Sequence, residues 1–192
     1  MIIGLTGSIG VGKSKVLEIL KELSYDTLDL DSISHKLLKQ DDIKKKLCDN
    51  FSYNILTDNE IDRKKLREIV FEDKEKIKIL NSIMHPKIIS EMKKYIENNK
   101  SDILIIEVPL LFELKLEKYF DKILLVYADP NIQLKRIMER NNINKKDALN
   151  LINAQIDIRE KAKKTKYIIF NETNMKDLKN NVLKVMGNIK LK

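Results

Sequence analysis

The sequence predicts an α/β fold in three layers, with helices on both faces of a five-stranded parallel sheet. Three observations predict it. A glycine-rich phosphate-binding pattern, residues 7–14, lies between a short apolar run and an amphipathic helical stretch. Continuous apolar runs recur at residues 103–106, 123–127 and 167–170, the composition of strands buried on both faces. Helical stretches separate them, as right-handed parallel crossovers require.

The elements follow in order. Ile2, Ile3 and Leu5 read as the first strand, and Val16, Leu17, Ile19, Leu20 and Leu23 as one face of the helix after the glycines. Between them stands Gly7-Ser8-Ile9-Gly10-Val11-Gly12-Lys13-Ser14. Its glycines let backbone amides turn inward around phosphate oxygens, and the helix N-terminus adds amides and a favourable dipole. In that setting Lys13 is a point charge for the outer phosphates, and Ser14 offers a hydroxyl to magnesium. Tyr25 to Leu30 reads as the second strand, ending at Asp29-Leu30-Asp31. A helix with Ile33, Leu37 and Leu38 inward comes next, and a further helical stretch ends on the core residues Cys48 and Phe51.

Residues 52–58 read as a turn. Asp62 caps a helix carrying Leu66, Ile69, Val70 and Phe71; a second helix holds Ile77, Leu80, Ile83 and Met84. Pro86 then opens a fresh helix with Ile88, Ile89, Met92 and Ile96. Residues 61–98 are thus expected to be mostly helical, an insertion with no strand. The strand at 103–106 closes at Glu107 and Pro109, and that at 123–127 at Ala128-Asp129-Pro130. Residues 132–158 are helical with a break at 141–144, the hinge of a mobile helical hairpin. Tyr167 to Phe170 is the last strand, followed by Asn171 and a closing helix, 175–189, with Leu178, Val182, Leu183 and Met186 inward. The expected division is a single domain, 1–192, with a nucleotide-binding core of 1–58, 99–130 and 165–192, a helical insertion at 59–98 and a lid region at 131–164.

Composition narrows the function. The 192 residues carry a net charge of +8, but only five of the 37 basic residues are arginines. Lysine-rich runs beside many asparagines and isoleucines read as compositional bias, and no zinc-finger, KH or arginine-rich pattern accompanies them. Nucleic acid is not an expected partner. No run reaches the ~20 apolar residues of a membrane span, and no signal peptide is expected. One cysteine, Cys48, excludes an intrachain disulfide and a cysteine cluster; His35 and His85 alone argue against zinc. A reducing, cytoplasmic setting fits.

Ligands of such sheets bind beyond the strand C-termini. Those ends carry Thr6-Gly7, Asp29 to Asp31, Glu107 to Pro109, Tyr127 to Asp129 and Asn171. Asp29 and Asp31, two apart, share a strand face; one can orient or deprotonate an acceptor hydroxyl and the other hold metal-bound water or cap a helix, or both can be caps. Glu107 is either a Walker-B-type carboxylate or an ordinary strand end. Glu113 reads as a helix start. Arg136 and Arg140 lie one helical turn apart, either a lid over a transferring phosphate or two solvated side chains. Arg63 and Arg67 form a similar pair, and His85 is either a helix-start residue or a substrate contact.

The whole pattern resembles the dephospho-coenzyme A kinase family. The resemblance rests on Gly4 to Ser14, Asp29-Leu30-Asp31, Arg63 to Phe71, Leu80-Asn81 with His85-Pro86, Val108-Pro109-Leu110-Leu111-Phe112-Glu113, Gln133 to Arg136 with Arg140, Ala154-Gln155, and Asn171. Asn141 replaces the aspartate that commonly follows the lid arginine, and Glu172-Thr173 departs from the usual residues after Asn171. The resemblance implies a P-loop kinase fold with a helical acceptor-binding insertion and a helical lid. It implies transfer of the ATP γ-phosphate to the ribose 3′-hydroxyl of dephospho-coenzyme A, with magnesium and without an obligate protein, nucleic-acid or membrane partner. By that likeness Asp31 is the base, assisted by Lys13, Arg140 and Arg136. Gly7 to Ser14 and Asn171 bind nucleotide; Ser14 and Glu107 serve magnesium; Asp31, Arg63, His85, Pro109 and Leu110 face the acceptor. Another P-loop small-molecule kinase, a P-loop switch and a nucleic-acid-binding NTPase remain the alternatives.

Overall fold

The computed structural model describes residues 1–71 and 73–190. In chain order the elements are β1 (Ile2–Thr6), α1 (Lys13–Glu22), β2 (Asp26–Asp29), α2 (Leu30–Leu37), α3 (Asp41–Phe51), β3 (Leu56–Thr57), β4 (Glu60–Ile61), α4 (Arg63–Phe71), α5 (Lys74–Asn98), β5 (Leu104–Glu107), β6 (Lys122–Tyr127), α6 (Pro130–Asn141), α7 (Lys145–Asn153), α8 (Ile158–Ala162), β7 (Tyr167–Phe170) and α9 (Met175–Lys190). They form two compact units: Met1–Leu28 with Lys100–Lys192, and Asp29–Asn99. The helical unit thus begins at Asp29 and includes α2 and α3, where the sequence suggested an insertion starting at residue 59.

The first unit is built on the sheet β2-β5-β1-β6-β7. β1 runs parallel to β5, from Ile2 against Leu104 to Leu5 against Glu107, and parallel to β6, with Thr6 against Leu125. β7 runs parallel to β6, with Phe170 against Tyr127. The strand ends Thr6, Glu107, Tyr127 and Phe170 therefore share one edge, the edge from which the phosphate-binding loop departs. On one face, Val16, Leu17, Ile19 and Leu20 of α1 and Leu178, Val182, Met186 and Ile189 of α9 pack with Ile3, Leu5, Leu124, Val126 and Ile169. Each such side chain contributes about 1.5–3 kcal/mol. On the other face a Cβ at Gly4 would meet Leu111 Cδ1 at 2.6 Å and Phe120 at 3.0 Å. The three-layer α/β arrangement is as expected.

One inward assignment on α9 is corrected. Leu183 is 46% exposed, and Ile189 is buried in its place. Residues 178, 182, 186 and 189 fall within one narrow stripe of a 3.6-residue helix, and 183 lies well off it. The break after α6 is present: Asn142 adopts a left-handed conformation, φ 49°, and Asn144 accepts a bond from Asp147 N to open α7. Asp129 caps α6 with Pro130 in its first turn, where a missing N–H is harmless.

In the Asp29–Asn99 unit, α2, α3 and α4 all pack on α5. Ile33, Leu37, Ile43, Leu47, Cys48, Phe51, Leu66, Val70, Met84 and Met92 are buried. Asp62 caps the start of α4, accepting from Lys64 N and Lys65 N. Two expectations are corrected. Residues 56–61 form an antiparallel hairpin, Thr57 against Glu60, turned by Asp58 (φ 50°) and Asn59 (φ 61°). Two successive positive φ values make a type I′ turn, which matches strand twist. Second, Pro86 lies inside one continuous helix, Lys74–Asn98, and starts no new one. Its ring removes the bond to the carbonyl of Ser82, but Ser82 and Pro86 are both exposed. Solvent meets that carbonyl, and the packing of Met84 and Met92 outweighs one lost bond.

Candidate active site

The loop between β1 and α1 is held from outside itself. Asn171, just beyond β7, donates through Nδ2 to Val11 O (2.8 Å) and is buried. Gln133 of α6 donates through Nε2 to Ile9 O (2.6 Å), and Gln155 Oε1 accepts from Ile9 N (2.9 Å). Ser8 Oγ donates to Ile156 O (3.3 Å). Both polar groups of the Ile9 backbone are thus engaged, which fixes the first half of the loop. Lys13, the first residue of α1, donates from Nζ to Ser8 O (3.3 Å), so the ammonium lies across its own loop. Ser14 is exposed on the first turn of α1. Gly12 has φ 90°, and a Cβ there would run into Asn171 Nδ2. A side chain would break the brace as well as strain the backbone.

Asn171, expected to bind nucleotide, bonds through its amide to the loop backbone and so supports the loop. Arg136 is half-buried and donates from Nη1 to the Asn171 carbonyl (2.9 Å). Arg140, one turn on, is exposed, and its Nε donates to Asn141 Oδ1 (3.0 Å). The two arginines of the expected lid therefore differ: one is built into the loop's support, the other lies on the surface. Both departures from the family pattern make contacts. Asn141 receives Arg140, and Glu172 Oε1 accepts from Asp129 N (3.0 Å).

Glu107 ends β5 and is 6% exposed. Pro109 and Leu110 are half-buried just beyond it. Glu113 does not start a helix. Its Oε1 accepts from Ile156 N (3.0 Å) and pairs with Lys161 Nζ (2.8 Å), and the Lys161 side chain is fully buried. The buried Lys161 ammonium needs a counter-charge, and Glu113 supplies it. On α8 beside it, Asp157 is held down to a pKa of about 2 by the hydrogen bonds and charge of Arg159.

In the Asp29–Asn99 unit the paired aspartates separate by role. Asp29 is the N-cap of α2 and accepts from Asp31 N (2.9 Å). Asp31 is exposed in the first turn of α2. The two do not share a strand face, because the chain turns into helix at the buried Leu30. Arg63 is exposed at the start of α4. His85 is half-buried on α5, and burial holds its imidazole below the usual range, so it is neutral at pH 7.

The family model described as dephospho-CoA kinase matches residues 1–177 of this chain. A dephospho-CoA kinase of Fusobacterium nucleatum is 43% identical over 179 residues, 93% of either chain. The crystal structure of a Thermus thermophilus protein superposes with a TM-score of 0.83 at 28% identity, covering 98% of this chain and 97% of that one. The structure of dephospho-CoA kinase from Campylobacter jejuni does so at 0.71 and 34% identity, covering 98% and 96%. The chain belongs to the dephospho-CoA kinase family. It is an ATP-binding P-loop kinase of the three-layer α/β type, and the reaction of its family is ATP-dependent phosphorylation of dephospho-CoA to coenzyme A.

Sequence reasoning did not assign roles in this kinase site to Gln133, Gln155, Glu113 and Lys161. Gln133, Gln155 and Glu113 stand among the residues that carry the family resemblance, without a contact assigned to them, and Lys161 is legible only as one of several lysines in a run. Among the described residues no helix is long and apolar enough to cross a membrane, and no group of three or more His, Cys, Asp or Glu side chains is placed to hold a metal ion.

Proposed function

We propose that this chain transfers the γ-phosphate of ATP to the ribose 3′-hydroxyl of dephospho-coenzyme A. The observation that carries the reading is the family match across residues 1–177, which includes an intact, braced phosphate-binding loop. In the step, the 3′-oxygen forms a bond to the γ-phosphorus as the bond to the β-bridging oxygen breaks. The hydroxyl proton passes to the Asp31 carboxylate, and ADP leaves. An exposed carboxylate next to a cap that already serves the helix suits a base. Lys13 and the amides of the Gly7 to Ser14 loop other than that of Ile9, which Gln155 holds, neutralise the outer phosphates. Arg140, exposed and bonded to its neighbour Asn141, covers the transferring group; Arg136 sets the loop's support. Arg63, His85, Pro109 and Leu110 hold the acceptor, with His85 acting as a neutral hydrogen-bonding group.

Ser14 and Glu107 offer hard oxygen donors, a hydroxyl and a carboxylate, which suits magnesium with its retained waters. Bound there, magnesium offsets charge on the β- and γ-phosphate oxygens. The reaction belongs in the cytoplasm, where ATP is abundant, and calls for neither a protein nor a nucleic-acid partner.

The test is incubation of purified protein with ATP, magnesium and dephospho-CoA, with the product's new phosphate located by phosphorus NMR. A 3′-phosphorylated product supports the reading; no ATP-dependent product overturns it. Asp31→Ala is expected to keep its ATP affinity and to lose about 10²–10⁴ in kcat, the range for general-base removal. Normal turnover in that variant removes Asp31 from the chemistry.

A further inference from the structure

We propose that the buried Lys161–Glu113 pair is a positioning device for the phosphate-binding loop, acting through Ile156 and Gln155. Lys161 is fully buried, and burying an ion pair is often no better than packing apolar side chains of the same size. The contacts show what the pair adds. Glu113 Oε1 accepts from Lys161 Nζ (2.8 Å) and also from Ile156 N (3.0 Å). Lys161 Nζ reaches Pro109 O at 3.5 Å as well. Glu113 Oε2 is buried and has no hydrogen-bond partner among the described residues. One oxygen therefore carries both contacts, and the ammonium fixes where it sits.

That oxygen sets the backbone at residue 156. Ile156 O accepts from Ser8 Oγ, and the adjacent Gln155 Oε1 accepts from Ile9 N. Gln133 Nε2 holds the other side of the Ile9 backbone, donating to Ile9 O. The loop is thus held in shape by a chain of contacts from Lys161 through Glu113, Ile156 and Gln155 to Ser8 and Ile9. None of these side chains needs to touch phosphate. A loop held in its binding shape avoids the ordering cost when nucleotide arrives, so the effect falls on ATP affinity. The inference concerns the ATP half of the proposed reaction and rests on that reading.

The test compares steady-state kinetics and melting of wild type, Gln155→Ala, Lys161→Met and the double variant Glu113→Leu with Lys161→Met. Wild-type turnover of dephospho-CoA comes first, so failure of the reaction itself is seen separately. Gln155→Ala, which leaves the pair intact, is expected to raise KM for ATP about tenfold with kcat within about twofold. Lys161→Met raises KM at least as much and also lowers Tm. The double variant recovers Tm, since no charge stays buried, yet keeps the raised KM, because Ile156 N has lost its acceptor. Amide exchange at Ile9 quickens in all three. A wild-type KM in Gln155→Ala, or in the refolded apolar double variant, overturns the proposal and leaves the pair a purely structural one. If Lys161→Met does not fold, Gln155→Ala and the double variant decide.

Discussion

The two compact units hold their functional residues in different ways. Around the phosphate-binding loop the bonds span the chain: Asn171 to Val11 is 160 positions, Gln155 to Ile9 is 146, and Gln133 to Ile9 is 124. In the Asp29–Asn99 unit the capping bonds at helix starts are short in sequence. Asp29 caps Asp31, Asp62 caps Lys64 and Asp73 caps Glu75, each two positions away. The longer tie from Lys87 to Asp42 lies on the surface. Phosphate geometry must be fixed before the ligand arrives, because electrostatic stabilisation comes from dipoles that need not reorient. Such fixation takes residues from many parts of the chain. Helices that present exposed side chains need only correct ends and a packed inner face.

The sharpest way to break this contrast is Gly12→Ala. A left-handed backbone costs an L-residue about 1–3 kcal/mol, and here the new Cβ also displaces the Asn171 amide from Val11. ATP affinity, read by isothermal titration, is expected to fall about 100-fold or more, the factor that about 2.7 kcal/mol represents. Retained affinity would mean that the loop does not depend on its braces. Next in size is the difference between the two arginines. Arg136→Met removes a half-buried donor to Asn171 O and is expected to cost about 1 kcal/mol of stability. Arg140→Met, on the surface, should leave stability within about 0.5 kcal/mol while lowering kcat. Equal melting temperatures for the two variants would erase the distinction drawn between them.

In the other unit, Asp62→Ala removes a cap and is expected to cost about 1 kcal/mol. ATP affinity should not change, and a change would show that the loop is not independent of that helix. The smallest effect concerns pH. Burial holds His85 below its ordinary value in the folded chain, so the unfolded chain binds the extra proton as pH falls through about 6.5. Stability from this source is complete above about pH 6.5 and declines below it. His85→Gln should therefore lose less Tm than wild type between about pH 7.5 and pH 5.5. A parallel decline in both proteins would assign the acid sensitivity to other groups.

Much of the scaffold can be read from the sequence. β5, β6 and β7 announce themselves as continuous apolar runs because both faces of a parallel strand are covered. The loop carries its own spacing, Asp62 marks a helix start by residue type, and the polar run at 141–144 marks the break after α6. Other features leave no local trace. The Asp58-Asn59 turn uses the I′ geometry without glycine, so the hairpin hides in a polar stretch. Pro86 signals a break that tertiary packing overrides. Lys161 is chemically identical to its neighbours at 163, 164 and 166, and only the position of Glu113 across the fold selects it for burial. Side-chain braces from Asn171, Gln133 and Gln155 are invisible for the same reason: each is a pairing over more than a hundred positions, and periodicity reports only which way a residue faces.

The close approaches at the loop bear on how this chain uses glycine, of which it has only five. Left-handed backbone elsewhere among the described residues is carried by Ser24, Ser52, Asp58, Asn59, Lys115 and Asn142. At such sites an L-residue costs about 1 kcal/mol, which is close to the conformational entropy a glycine would lose on folding, so selection has little reason to prefer either. Gly4, Gly7 and Gly10 are different: an added Cβ at each would come within 2.7 Å of another atom, and at Gly12 it would come closer still. Four of the five glycines thus stand where neighbours leave little room for another carbon atom, whereas Gly187 has open space around it. An alanine at any of these four positions has to displace a packed neighbour, while one at position 187 displaces none.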